Sequence, residues 1–132
     1  THILYSLFFI KELDLKIKNI DLNQALVVLL FFVLYVLLIL VLWSSLNELL
    51  IPVLLYGLIL ITMGVLTFFR KKSNGYSIVF IGACLFIVSD SILAVNHFLF
   101  NSTLLWAQSL VILFYVFAQY FIVSGIVKSS EG

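Results

Sequence analysis

Apolar residues in this chain come in blocks instead of at strand or amphipathic-helix spacing. Residues 24–43, 49–69, 76–98 and 104–127 are four nearly continuous runs of Leu, Ile, Val, Phe and Ala, broken by isolated polar positions. A hydrocarbon core about 30 Å thick is crossed by about 20 helical residues rising 1.5 Å each. Each run therefore predicts one transmembrane helix. Residues 1–10 form a fifth apolar segment, too short to span. The chain opens inside that segment, without an initiator Met or a basic leader. Residues 1–10 are accordingly expected to be the end of a truncated helix, with N-terminal helices missing ahead of it. The connectors 11–23, 44–48, 70–75 and 99–103 are short, which makes neighbours in sequence antiparallel neighbours in space. The predicted fold is all-α, a single polytopic transmembrane helix bundle of about five helices over residues 1–132, one of them partial.

Composition excludes a soluble alternative. The chain is 64% hydrophobic and 10% charged, with a mean hydropathy of +1.29, whereas a soluble domain carries roughly 25% charged residues. The net charge of +1 does not point to nucleic acid, and none is expected as a partner. The placement of charge is more informative. Threading the four complete spans puts Lys11, Lys16, Lys18, Arg70, Lys71, Lys72 and Lys128 on one side, and no Lys or Arg falls on the other. This asymmetry predicts that the 11–23 and 70–75 connectors and the C-terminus face the cytoplasm. Trp43 and Trp106 at one end and Tyr76 at the other read as interfacial anchors. Gly57 and Gly64 share a helix face and read as packing positions. Cys84 reads as a small buried hydrophobe.

Five of the six acidic residues lie in connectors or at ends, and the sixth, Asp90, lies within a span. An intramembrane carboxylate costs several kcal/mol by insertion scales unless it is neutralised, hydrated or paired, so Asp90 is the residue to explain. It lies 14 residues past Tyr76, about 21 Å from that helix end by rise. Ser89 and Ser91 flank it, His97 lies seven residues on along the same face, and Asn96 is close to that face. In the last span Gln108, Tyr115 and Gln119 align along one face, with Tyr115 roughly level with Asp90. Facing one another, the two helices would pair the carboxyl with Tyr115 and Gln108. His2 and Tyr5 share a face of the first segment. No Cys/His cluster, Gly-rich phosphate loop or nucleophile elbow is present, so no metal or cofactor is expected.

The stretch from Gly82 to Phe98, with Ser89-Asp90-Ser91 at its centre, resembles the Ser-Asp-Ser helix of the YhhN-type lysoplasmalogenase family. Tyr115-Val116-Phe117-Ala118-Gln119-Tyr120 is similar to that family's Tyr-x-x-Ala-Gln motif, and His2-Ile3-Leu4-Tyr5 to its His-x-x-Tyr motif. The resemblance implies an eight-helix membrane enzyme with both termini cytoplasmic, of which this chain is the C-terminal portion. It also implies a second catalytic carboxylate on a Gly-Asp motif that this chain lacks. The implied activity is hydrolysis of the vinyl ether bond of lysoplasmalogens, which gives a fatty aldehyde and a glycerophospho-alcohol. That chemistry starts with proton transfer to carbon from a general acid, and apolar surroundings favour the neutral, proton-carrying form of a carboxyl group.

The resulting expectation is a membrane-embedded hydrolase in which Asp90 is the general acid or base. Tyr115, Gln119, Ser89, Ser91, Asn96, His97, His2 and Tyr5 are its candidate lining residues. A lysolipid and the bilayer are the expected partners, and the cell membrane of a bacterium the expected location. Two alternatives stand beside this reading. One is a small transporter or proton-pathway subunit that uses the intramembrane Asp. The other is a structural bundle in which Asp90 holds helices together by hydrogen bonds.

Overall fold

A computed structural model describes residues 2–11, 20–70 and 72–131. These residues form five α-helices, α1 (His2–Lys11), α2 (Leu22–Leu46), α3 (Leu50–Phe69), α4 (Tyr76–Phe100) and α5 (Leu105–Ser130), with a 3-10 turn at Asn47–Leu49 between α2 and α3. No strand occurs among the described residues. Three apolar stretches are long enough to cross a membrane: Leu22–Phe69, Tyr76–Phe100 and Leu105–Ser130. The first is a hairpin. Asn47 reverses the chain with a φ of 40°, and Tyr35 of α2 donates a hydrogen bond to the Leu54 carbonyl of α3 at 3.0 Å.

Several helices outrun the apolar blocks that predict them, because the backbone hydrogen-bond ladder continues through the residues at their ends. α2 starts at Leu22, ahead of residue 24. Asp21 caps it, its carboxylate accepting from the Leu22 N–H at 2.8 Å while its own N–H donates to Gln24 Oε1 at 3.1 Å. This reciprocal cap satisfies donors that the first turn leaves open. α4 continues to Phe100 and stops where Asn101 turns left-handed, at a φ of 47°. α5 begins at Leu105 and runs on to Ser130, past Lys128.

Outward faces are as apolar as inward ones. Leu26, Leu29, Leu37, Leu40, Ile51, Leu55 and Leu58 are each more than half exposed, and water would not tolerate so continuous an apolar belt. Lipid is the matching solvent, and helices suit it because they satisfy every backbone group internally. The chain is an integral membrane protein.

Small residues set the closest helix contact. α4 and α5 pack with Gly82, Ala83, Ala118 and Gly125 all buried. A Cβ on Gly82 would sit 2.9 Å from the Ala118 carbonyl oxygen, and one on Gly125 would sit 2.9 Å from the Gly75 carbonyl oxygen. Gly57 and Gly64 have the packing role expected of them, receiving the rings of Tyr35 and Phe31 from α2. The core consists of Phe9, Phe31, Leu60, Met63, Val79, Ala83, Phe86, Ile87, Ala118 and Ile122.

Basic residues gather at one end. The Arg70 guanidinium lies 5.9 Å from the centroid of the Phe9 ring near the end of α1, and Ser73 donates to Ser129 near the end of α5 at 3.1 Å. Lys11, Arg70, Lys72 and Lys128 therefore share that end; Lys16, Lys18 and Lys71, with most of the 11–23 connector, fall outside the described residues. At the other end the α2–α3 and α4–α5 turns meet around one cavity.

Candidate active site

Asp90 sits in the second half of α4, its side chain only 9% exposed. Its Oδ2 accepts a hydrogen bond from the Tyr56 hydroxyl of α3 at 2.5 Å and lies 3.2 Å from His2 Nε2 of α1. His2 Nε2 is also 3.0 Å from the Tyr56 hydroxyl, so the three polar atoms form a closed triangle drawn from three helices. Asp90 Oδ1 makes no hydrogen bond among the described residues. The Tyr56 hydroxyl is the donor to Oδ2, and the His2 ring nitrogen lies within reach of both oxygens.

A second polar layer lies one helical turn along α1, toward the basic end. Tyr5 donates to Gln119 Oε1 at 2.6 Å, and Gln119 Nε2 donates to the Tyr115 hydroxyl at 3.3 Å. Spacing along the helices produces both layers: His2 and Tyr5 are three apart on α1, and Tyr115 and Gln119 four apart on α5, so each pair lies on one face. The buried Phe86, one turn before Asp90, joins the layers. Its ring meets His2 edge-on at 4.5 Å and Tyr115 at 5.1 Å. These are favourable aromatic geometries, and they fix the two rings that border the site.

The expected pairing of Asp90 with Tyr115 and Gln108 is not formed. Consecutive residues on a helix differ by about 100° in direction. On α4 it is Ser89, fully buried, that points at α5 and donates to the Val111 carbonyl at 3.0 Å. Asp90 is thereby turned toward α1 and α3. Gln108 instead donates to the Ser102 carbonyl at 3.0 Å. Four other candidates also stand away from the carboxyl. Ser89 serves the α4–α5 contact, and Ser91 bonds back to the Ile87 carbonyl of its own helix at 2.7 Å. Asn96 braces the α4–α5 turn through both the N–H and the carbonyl of Leu104. His97 meets Ser102 Oγ at 3.1 Å beside the end cavity. The structure thus brings Asp90, His2, Tyr5, Tyr115 and Gln119 into one neighbourhood and adds Tyr56, which inspection of the sequence passes over. No group of three His, Cys, Asp or Glu side chains suited to a metal ion occurs among the described residues.

The sequence profile of one protein family matches residues 1–126, a range that contains all of these residues. The chain belongs to the YhhN family. No curated protein and no solved structure matches it significantly. In this YhhN protein the Asp90 carboxyl has one oxygen bonded by the Tyr56 phenol with the His2 imidazole beside it, and the other oxygen makes no hydrogen bond among the described residues.

Proposed function

We propose that this YhhN protein is a membrane-embedded ether hydrolase that cleaves the vinyl ether bond of lysoplasmalogen-type lysolipids. The observation that carries the reading is the Tyr56 hydrogen bond to Asp90 Oδ2 with His2 Nε2 3.2 Å from the same oxygen, within a bundle whose outward faces are apolar. In the neutral acid Oδ2 is the carbonyl oxygen, which accepts from both donors, and the proton sits on Oδ1. Asp90 delivers that proton to the β-carbon of the vinyl ether, leaving an oxocarbenium ion. Water adds to the cationic carbon, and the Asp90 carboxylate, now opposite that positive charge, accepts the proton that water loses. The hemiacetal then breaks its bond to the glycerol oxygen, giving a fatty aldehyde and a glycerophospho-alcohol. A second carboxylate on a Gly-Asp motif, in an eight-helix whole, would add cation stabilisation. Placing the site inside the bilayer lets the single chain of a lysolipid enter sideways and remain in apolar surroundings. The basic end of the bundle faces the cytoplasm of a bacterial cell and carries the C-terminus there.

The other two readings fit the geometry less well. A proton pathway uses a continuous hydrogen-bonded chain, and among the described residues no hydrogen bond links the Asp90 triangle to the Tyr5–Gln119–Tyr115 layer. A purely adhesive Asp90 would be replaced without loss by Asn, which keeps the shape and an acceptor. The test is the full-length protein in detergent, assayed for aldehyde release from a lysoplasmalogen beside thermal stability. Asp90→Asn is expected to stay folded while turnover falls by on the order of 10² to 10⁴, the usual share of a positioned proton-transfer group. A stable Asn variant with near-normal aldehyde release would remove Asp90 from the mechanism, and a wild type that releases no aldehyde would remove the hydrolase.

A further inference from the structure

Asp90 has no Lys or Arg near it among the described residues. α2, α3 and α4 carry neither, and those of α1 and α5 are Lys11 and Lys128 at the basic end. Lys11 is nine residues from His2, about 13 Å by rise. Among the described residues His2 is the one group within reach that could offset a carboxylate, and its surroundings keep it neutral. Its Nε2 faces two oxygens, the Tyr56 hydroxyl and Asp90 Oδ2, whereas Nδ1 is buried with no hydrogen-bond partner. An imidazolium would bury a charged ring with an N–H donor that nothing accepts, a costly arrangement. The neutral ring with its proton on Nε2 leaves only a bare acceptor there. Asp90 Oδ1, by contrast, makes no hydrogen bond and is not sealed in by protein.

We propose that Asp90 is a binding site for single-chain aliphatic amines dissolved in the bilayer, and that such amines inhibit the protein. The inference rests on the hydrolase reading for its effect on turnover, but its own ground is a carboxyl with no cationic partner and one open oxygen. An aliphatic amine is far more basic than a carboxylate. Its nitrogen, set against Oδ1, takes the proton that the vinyl ether carbon would take. The O–H bond of the acid breaks, the nitrogen lone pair forms the new N–H bond, and an ammonium–carboxylate pair remains. Water cannot carry that pair further, because no carbon has become electrophilic. The site is then held in the charge arrangement that follows proton transfer, with Tyr56 donating to the carboxylate and a cation opposite it. Charge-assisted hydrogen bonds of this kind are shorter and about twice as strong as neutral ones. An alcohol of the same length fills the same space without the charge. A quaternary ammonium ion carries the charge but has no lone pair to take the proton and no N–H to donate.

The experiment uses the full-length protein in an uncharged detergent. Its melting temperature is followed as N,N-dimethyldodecylamine, dodecanol or dodecyltrimethylammonium is added, since a ligand that binds only the folded state raises that temperature. The amine is expected to bind roughly 10- to 100-fold more tightly than the alcohol, the worth of one hydrogen bond to a charged group, with the quaternary ion close to the alcohol. Asp90→Asn should abolish the difference between amine and alcohol. Glu48→Gln, which removes an exposed carboxylate from the turn between α2 and α3, should leave it intact. Equal stabilisation of wild type by amine and alcohol would overturn the site without recourse to either variant. So would a quaternary ion that matches the amine, or an amine effect that survives Asp90→Asn. Aldehyde release from a lysoplasmalogen separates the two proposals. Amine-selective stabilisation with no aldehyde leaves the amine site standing and defeats the hydrolase; aldehyde release that amine and alcohol inhibit equally does the reverse.

Discussion

Removing the Tyr56 hydroxyl tests the site at the point where structure adds most to sequence. Tyr56→Phe keeps the ring, and with it the packing of α3, and deletes only the donor that lies 2.5 Å from Asp90 Oδ2. A hydrogen bond to a charged group is worth about 1.5–3 kcal/mol, and each 1.36 kcal/mol corresponds to about tenfold in rate. The phenol stabilises the carboxylate that remains after proton transfer, so its loss raises the barrier to forming the oxocarbenium ion. His2 Nε2, 3.2 Å from the same oxygen, retains part of the hold, which puts the expected fall in turnover at about 10- to 30-fold with little change in KM. Tyr35→Phe is the matched control. Its hydroxyl donates to the Leu54 carbonyl in the α2–α3 hairpin and does not touch Asp90. Tyr56→Phe loses the bond to Asp90 and the contact with His2, Tyr35→Phe loses one bond, so both are expected to lose a small amount of thermal stability, and only Tyr56→Phe should lose aldehyde release. Full turnover in Tyr56→Phe, or an equal loss of turnover in Tyr35→Phe, would refute the assignment of Asp90 as the proton donor held by Tyr56.

Two further outcomes test the scaffold. Gly82→Val forces a branched side chain against the Ala118 carbonyl and Ile122, and overpacking of this kind costs about 1–3 kcal/mol; the melting temperature in detergent should fall, and an unchanged value would show that α4 and α5 do not meet there. For topology, single cysteines at the exposed positions Lys72 and Thr103, in a Cys84→Ser background, are treated on intact cells with a membrane-impermeant thiol reagent. Labelling is expected at Thr103→Cys alone, and labelling at Lys72→Cys alone would invert the orientation.

The helical class, the hairpin order and the gathering of basic residues at one end are all legible in the sequence, because a 30 Å apolar slab leaves a chain few ways to be built. Asp90 is legible for the same reason, since a carboxyl inside an apolar run has an energetic cost that calls for partners. Its partners are harder to read. Depth follows from counting residues, and Tyr56, 13 residues before Phe69 at the basic end of α3, lies about 20 Å along its helix against about 21 Å for Asp90. That near-coincidence of level is a signal the sequence contains, but a phenol in an apolar helix is also an ordinary amphipathic residue, so level alone does not mark it. What the sequence lacks is azimuth: which way each helix is turned, and which helices stand beside it. Ser89 and Asp90 differ by one residue, hence by about 100° around α4, and that rotation decides whether the carboxyl meets α5 or the α1–α3 seam. The small residues Gly82, Ala118 and Gly125 set the rotation by letting α4 and α5 approach along the face that carries Ser89. The residues that look least chemical therefore decide which polar residues meet, and Asp90 faces His2 and Tyr56 because Gly82, Ala118 and Gly125 leave room for α4 and α5 to approach on another face.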